Sequence, residues 1–81
     1  MIVVENKSEL KELINQRIKE QGPKCDLNDI DVSRIDDMSF LFSGSEFNGD
    51  ISKWNVSKVM SMYDMFENSP LFNKMPVWYR G

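Results

Sequence analysis

Five aspartates, Asp26, Asp29, Asp31, Asp36 and Asp37, crowd one short stretch of this 81-residue chain. They raise the question of a calcium loop, since hard cations take several carboxylate and carbonyl oxygens on a tight turn. The spacing does not fit an EF-hand: Ile30 stands where the third ligand belongs, and no glutamate closes the loop. These side chains are expected to cap helices and close turns. Cys25 follows Lys24, a neighbour that could lower a thiol pKa, but the chain has no histidine to pair with it. The usual neutral-pH base and the commonest zinc ligand are therefore missing. Gly44 and Gly49 are isolated turn residues rather than a phosphate-binding loop. The expectation is no enzyme, no metal and no cofactor.

The other candidate chemistry is recognition. Trp78, Tyr79 and Arg80 are of the types that dominate interface hot spots, and they lie near the chain's end, where burial is hardest to secure. They are the candidate partner-binding residues, with sealing of the last repeat as the competing role.

The elements that must hold these residues are organised by a repeat. Leu27–Asn48 is written again 24 positions later: Ile30 falls on Trp54, Val32 on Val56, Ser33 on Ser57, Ile35 on Val59, Met38 on Met62, Leu41 on Met65 and Phe42 on Phe66. Trp78 stands 24 after Trp54, and Phe72 and Asn73 echo Phe47 and Asn48, so a third copy begins. A 24-residue period is in the range of leucine-rich repeats, whose units bury their apolar faces only by stacking.

The expected fold is α/β: an N-terminal strand and helix capping a short leucine-rich-repeat-like solenoid with parallel strands and short helices. Ile2–Val4 reads as a strand. Asn6 and Glu9 form a near capping box for an amphipathic helix carrying Leu10, Leu13, Ile14 and Ile18, and Gly22 and Pro23 end it. Asp29–Ser33 and Lys53–Ser57 read as strands that pair in parallel. Met38, Leu41 and Phe42, then Met62, Met65 and Phe66, form i, i+3, i+4 stripes that predict helices over Asp36–Phe42 and Met60–Phe66. One domain is expected: a cap over 1–25, repeats over 26–50 and 51–74, and a truncated repeat or C-terminal cap over 75–81.

The net charge of −3 and the scattered Lys and Arg argue against direct nucleic-acid binding. No apolar run approaches the ~20 residues needed to span a bilayer. A single cysteine and a start without signal-peptide character lead to the expectation of a cytoplasmic, reduced protein, or a surface-exposed one if a leader was removed, monomeric or weakly self-associating.

The phrase FNGDISKWNVSKVMSMYDMF, Phe47–Phe66, with DIDVSRIDDMSFLF, Asp29–Phe42, resembles the repeat unit of the BspA-like leucine-rich-repeat family of bacterial proteins. The resemblance implies a right-handed repeat fold and a binding role, often at the cell surface. The functional expectation is a non-catalytic module that binds another protein or a ribonucleoprotein, in its sharpest form a small phage- or mobile-element-type inhibitor such as an anti-CRISPR. The alternative is a structural or adhesive unit of a bacterial surface array.

Overall fold

A computed structural model describes residues 1–80. Their order is β1 (Ile2–Val3), α1 (Lys7–Gln21), β2 (Ile30–Asp31) and a 3₁₀ turn over Pro70–Asn73. The fold is mixed α/β, with one α-helix and a two-stranded parallel sheet in which Ile2 pairs with Ile30 and Val3 with Asp31. Among the described residues, no helix is long and apolar enough to cross a membrane.

Helix α1 starts as its sequence predicts. The Asn6 side chain accepts from the Glu9 amide at 2.9 Å, and the Glu9 carboxylate accepts from the Glu5 amide at 3.1 Å, so the reciprocal bond sits one residue before the cap. Leu10 and Ile14 bury one face of α1, and its far end closes when the Gly22 amide donates to Ile18 O. Lys7 ties the helix to the repeat region, donating to Asp37 at 3.3 Å and to Ser39 O at 3.1 Å.

Beyond the helix the secondary structure departs from expectation. β2 pairs with β1 rather than with the second repeat, and Lys53–Ser57 forms turns instead of a strand. The backbone there is consumed locally: the Trp54 amide donates to Ile51 O, the Val59 amide to Val56 O, and the Ser57 amide to the Asn55 side chain, while the Lys53 amide reaches across to the Asn28 side chain. The helices expected over Asp36–Phe42 and Met60–Phe66 are also chains of turns. In the first, the amides of Leu41, Ser43 and Ser45 donate three residues back to Met38, Phe40 and Phe42. The second repeats this with Met65, Glu67 and Ser69 donating to Met62, Asp64 and Phe66.

The intervening amides join the two copies. Met38, Phe40, Phe42 and Gly44 donate to the carbonyls of Ser61, Tyr63, Met65 and Glu67 at 2.8 to 2.9 Å. Parallel bridges at Asp26/Asp50 and Asp37/Ser61 keep equivalent residues side by side. A left-handed backbone recurs in the same register, with φ +59° at Phe40 and +49° at Asp64, then +67° at Gly44 and +53° at Asn68. These positive angles prevent α-helix while leaving the apolar stripes buried.

The core runs between the two copies. Phe42 stacks on Phe47 at 5.0 Å and on Phe66 at 5.7 Å, the latter nearly parallel at 5°. Met38, Leu41, Met65 and Leu27 are buried around them. Gly49 makes the close approach possible, because a Cβ there would lie 1.8 Å from Cys25 O.

Candidate interaction surface

Four of the five candidate aspartates serve turns and ion pairs, while Asp36 contributes its backbone carbonyl, which accepts from the Met60 amide. Asp26, Asp31, Asp37 and Asp50 each accept from the amide two residues on, at 2.8 to 2.9 Å. Asp29 instead accepts both guanidinium nitrogens of Arg17, at 2.9 and 3.1 Å, and this pairing holds its carboxyl below the usual range. Asp50, accepting from the Ser52 amide, Asn28 and the Ser52 hydroxyl, is pulled down to about 2. Cys25 is buried, and burial pushes its thiol up rather than down. A thiol shifted that way is a poorer nucleophile at neutral pH.

Of the three sequence-predicted contact residues, Trp78 and Tyr79 pack against the end of the core and Arg80 does not. Trp78 is half-buried, stacks on Trp54 at 6.1 Å, and donates its indole N–H to Ile51 O at 2.9 Å. Trp54 does the same one unit earlier, donating to Leu27 O at 2.9 Å. Tyr79, also half-buried, meets Phe66 edge-on at 5.0 Å. Arg80 is exposed, and its guanidinium donates to Val59 O. The three therefore engage three different parts of the second unit and do not form one aromatic face.

A different surface gathers around Arg80. An open hollow of about 250 Å³ is lined by Met60, Ser61, Met62, Tyr63 and Arg80. Met60 is 88% exposed and Tyr63 66%. Tyr63 continues this surface to Phe40, 45% exposed, whose ring meets it edge-on at 5.6 Å. The Phe40 amide bonds Tyr63 O, and the Met60 amide bonds Asp36 O, so both ends of the patch rest on bonds between the two copies.

Phe40 is the residue the fold does not require. The other non-helical turn positions with positive φ carry Gly44, Asp64 and Asn68, residues that enter the left-handed region at small cost. A phenylalanine there is strained by roughly 1 kcal/mol or more. In return it is only about half buried, and its one aromatic partner is Tyr63.

Sequence reasoning passed over Phe40, Tyr63 and Met60 because each sits beside the buried stripe residues. The 24-residue period pairs Phe40 with Asp64, but the left-handed backbone they share is visible only in the structure.

No curated protein and no solved structure matches the chain. A family pattern does match, over residues 8–78, which takes in α1, both sequence copies and Trp78. The chain belongs to the family described as Mycoplasma protein of unknown function, DUF285.

Proposed function

We propose that this chain is a non-catalytic module that binds another protein, with Phe40, Tyr63 and Met60 as the contact surface and Arg80 at its rim. The observation that carries the reading is Phe40: an exposed aromatic held at a strained backbone position that Asn, Asp or Gly would fill more cheaply. The edge contact with Tyr63 does no more than offset that strain, so stability does not favour Phe over Asn, whereas aromatic, Met and Arg enrichment is the composition of interface centres. The scaffold is read as a two-unit, leucine-rich-repeat-like solenoid of the BspA-like kind, capped by β1 and α1. The inter-copy amide ladder and the Phe42/Phe66 and Trp54/Trp78 stacks support that reading. Trp78 and Tyr79 then act chiefly by sealing the last unit, and Arg80 keeps its place as a contact residue.

The test is affinity capture from lysate of the source cell, comparing wild type with Phe40→Asn/Tyr63→Ser and with Lys11→Ser as a surface control. A stoichiometric protein partner retained by the control and lost by the double variant, with circular dichroism unchanged, supports the module. A partner that binds the double variant as well as wild type removes this surface from the interaction.

A further inference from the structure

The second unit repeats the backbone of the first at every position that sets amide direction. Positive φ recurs at 40/64 and 44/68, and the three backward turns of the first unit have exact counterparts in the second. In the first unit the intervening amides, of Met38, Phe40, Phe42 and Gly44, point at the second unit and find its carbonyls. Their counterparts are the amides of Met62, Asp64, Phe66 and Asn68, which by the same geometry point away from the first unit. Among the described residues, none of these four has an acceptor. The carbonyls of Met62, Asp64 and Phe66 are already taken by the local turns. From Met62 to Phe66 the backbone of this edge therefore offers hydrogen-bond donors only.

That polarity limits what can sit on it. Two copies related by a two-fold axis would set donors against donors. Head-to-tail stacking would need the opposite edge of the first unit, but α1 lies along it: Lys7 occupies Ser39 O, and Leu41 and Ser43 share a hollow with Lys11, Asn15 and Ile18. A simple anion is disfavoured by the carboxylates of Asp64 and Glu67, which belong to the same turns. A row of neutral backbone carbonyls fits all three constraints.

We propose that the edge formed by Met62, Asp64, Phe66 and Asn68 is a docking site for an extended segment of another protein, which adds in parallel and presents a backbone carbonyl at every second residue. The mode resembles strand addition to a sheet edge, in which main-chain bonds supply affinity and side chains supply register. Tyr79, lying on Phe66, covers part of the apolar surface beside this row, so an apolar side chain of the segment would pack against its ring. The inference rests on the binding-module reading but uses main-chain donors rather than the side chains of Phe40 and Tyr63, with Met62 adjoining both surfaces.

The experiment is site-resolved amide hydrogen exchange on the 81-residue chain, alone and with a peptide of the sequence MSMYDMFENS. That peptide copies residues 60–69, the segment whose carbonyls already accept such a row inside the protein. Without peptide, the amides of Met38, Phe40, Phe42 and Gly44 should exchange slowly and those of Met62, Asp64, Phe66 and Asn68 fast. With peptide, the second set should slow by about tenfold or more, as expected for bonded rather than open amides. Because a short peptide can bind weakly, the same sequence is also joined to the C-terminus by a flexible Gly/Ser linker, which raises its effective concentration to about the millimolar range. Unchanged exchange at the four amides in the tethered form overturns the proposal. So does protection by inorganic phosphate in place of peptide, which would make the edge an anion site, or protection that rises with protein concentration alone, which would make the occupant a second copy. Phe40→Asn/Tyr63→Ser should leave the peptide effect unchanged, so failure here is distinguishable from failure of the Phe40 surface.

Discussion

Phe40 and Asp64 occupy the same left-handed turn position in successive copies, at φ +59° and +49°, yet one presents an aromatic ring and the other a carboxylate. Asp tolerates this conformation because its short polar side chain bonds locally, and Phe does not. Replacing Phe40 with Asn should relieve about 1 kcal/mol of strain while losing the edge contact with Tyr63, worth about 0.5–1.5 kcal/mol. The two changes nearly cancel. Urea unfolding of Phe40→Asn is expected to fall within about 1 kcal/mol of wild type, while capture of the partner is lost. A large loss of stability would show that Phe40 is a packing residue and would remove the reason for assigning it to an interface.

Trp54 and Trp78 make the same hydrogen bond one unit apart, but they are not energetically equal. Trp54 is buried and sits between Phe42 and Trp78, whereas Trp78 is half-buried with one neighbouring ring. Trp78→Phe keeps the stack and deletes the bond to Ile51 O, at a cost of about 1 kcal/mol. Trp54→Phe deletes the bond to Leu27 O, which keeps only the Ile30 amide, and also empties ring volume in the core between Phe42 and Trp78, so it should cost about 2–3 kcal/mol. Denaturant midpoints of the two variants check the order. Equal losses would mean that the outer Trp is as deeply built in as the inner one.

Much of this architecture was legible because repetition fixes which residues are equivalent. The 24-residue register put Trp78 on Trp54 and Phe66 on Phe42, and both pairs stack. The stripe Met38, Leu41 and Phe42 was correctly read as buried but wrongly read as helical. An i, i+3, i+4 pattern reports which side chains share a face, and a chain of i→i+3 turns gives the same spacing as a helix. What separates them is where the alternate amides go, and those bonds reach residues 23 positions away, such as Phe40 to Tyr63. No local window contains that information. The strand expected at Lys53–Ser57 failed for a related cause, since Asn55 and Asn28 offered side-chain oxygens that competed with a backbone ladder. At the proposed surface, Arg80 is a contact candidate from its side-chain type alone and Phe40 is not, because side-chain type shows that a residue can bind while only backbone geometry shows that it is strained.

Gly49 gives a prediction independent of function. A Cβ at this position would stand 1.8 Å from Cys25 O and 2.8 Å from a ring carbon of Phe47. The carbonyl belongs to the backbone and cannot swing aside, and Phe47 is fully buried. Gly49→Ala should therefore destabilise by at least about 2 kcal/mol, through forced separation of the loop from the Cys25 turn. Gly44→Ala meets no atom within 4 Å and strains only its φ of +67°, so it should cost about 1 kcal/mol. Thermal melts of the two variants should differ accordingly, and a milder effect at Gly49 than at Gly44 would contradict the close approach.

Acid should unfold the protein through its turn aspartates. Asp29, Asp31, Asp37 and Asp50 all have folded-state pKa values below the ordinary Asp value, held there chiefly by the Arg17 side chain for Asp29, the Ser33 and Ser39 side chains for Asp31 and Asp37, and the Ser52 amide for Asp50. A depressed pKa means that the unfolded chain binds protons first, so these groups contribute stability above an unfolded pKa of about 3.9 and lose it as pH falls through the folded values. Asp50 sets the lower edge of that window at about 2. Glu67 acts in the opposite sense, because its hydrogen bond to Asp64 raises its pKa, so its contribution is present below the unfolded Glu value and is lost as pH rises. Four groups against one give stability that declines between about pH 4 and pH 2. Asp50→Asn keeps a side-chain acceptor for the Ser52 amide but removes the titrating group. Unfolding free energy measured from pH 7 to pH 2 should therefore fall less steeply for Asp50→Asn than for wild type below pH 4. Identical slopes would mean that the Asp50 turn is as charged in the unfolded chain as in the folded one, and that its hydrogen bonds do not discriminate between the two states.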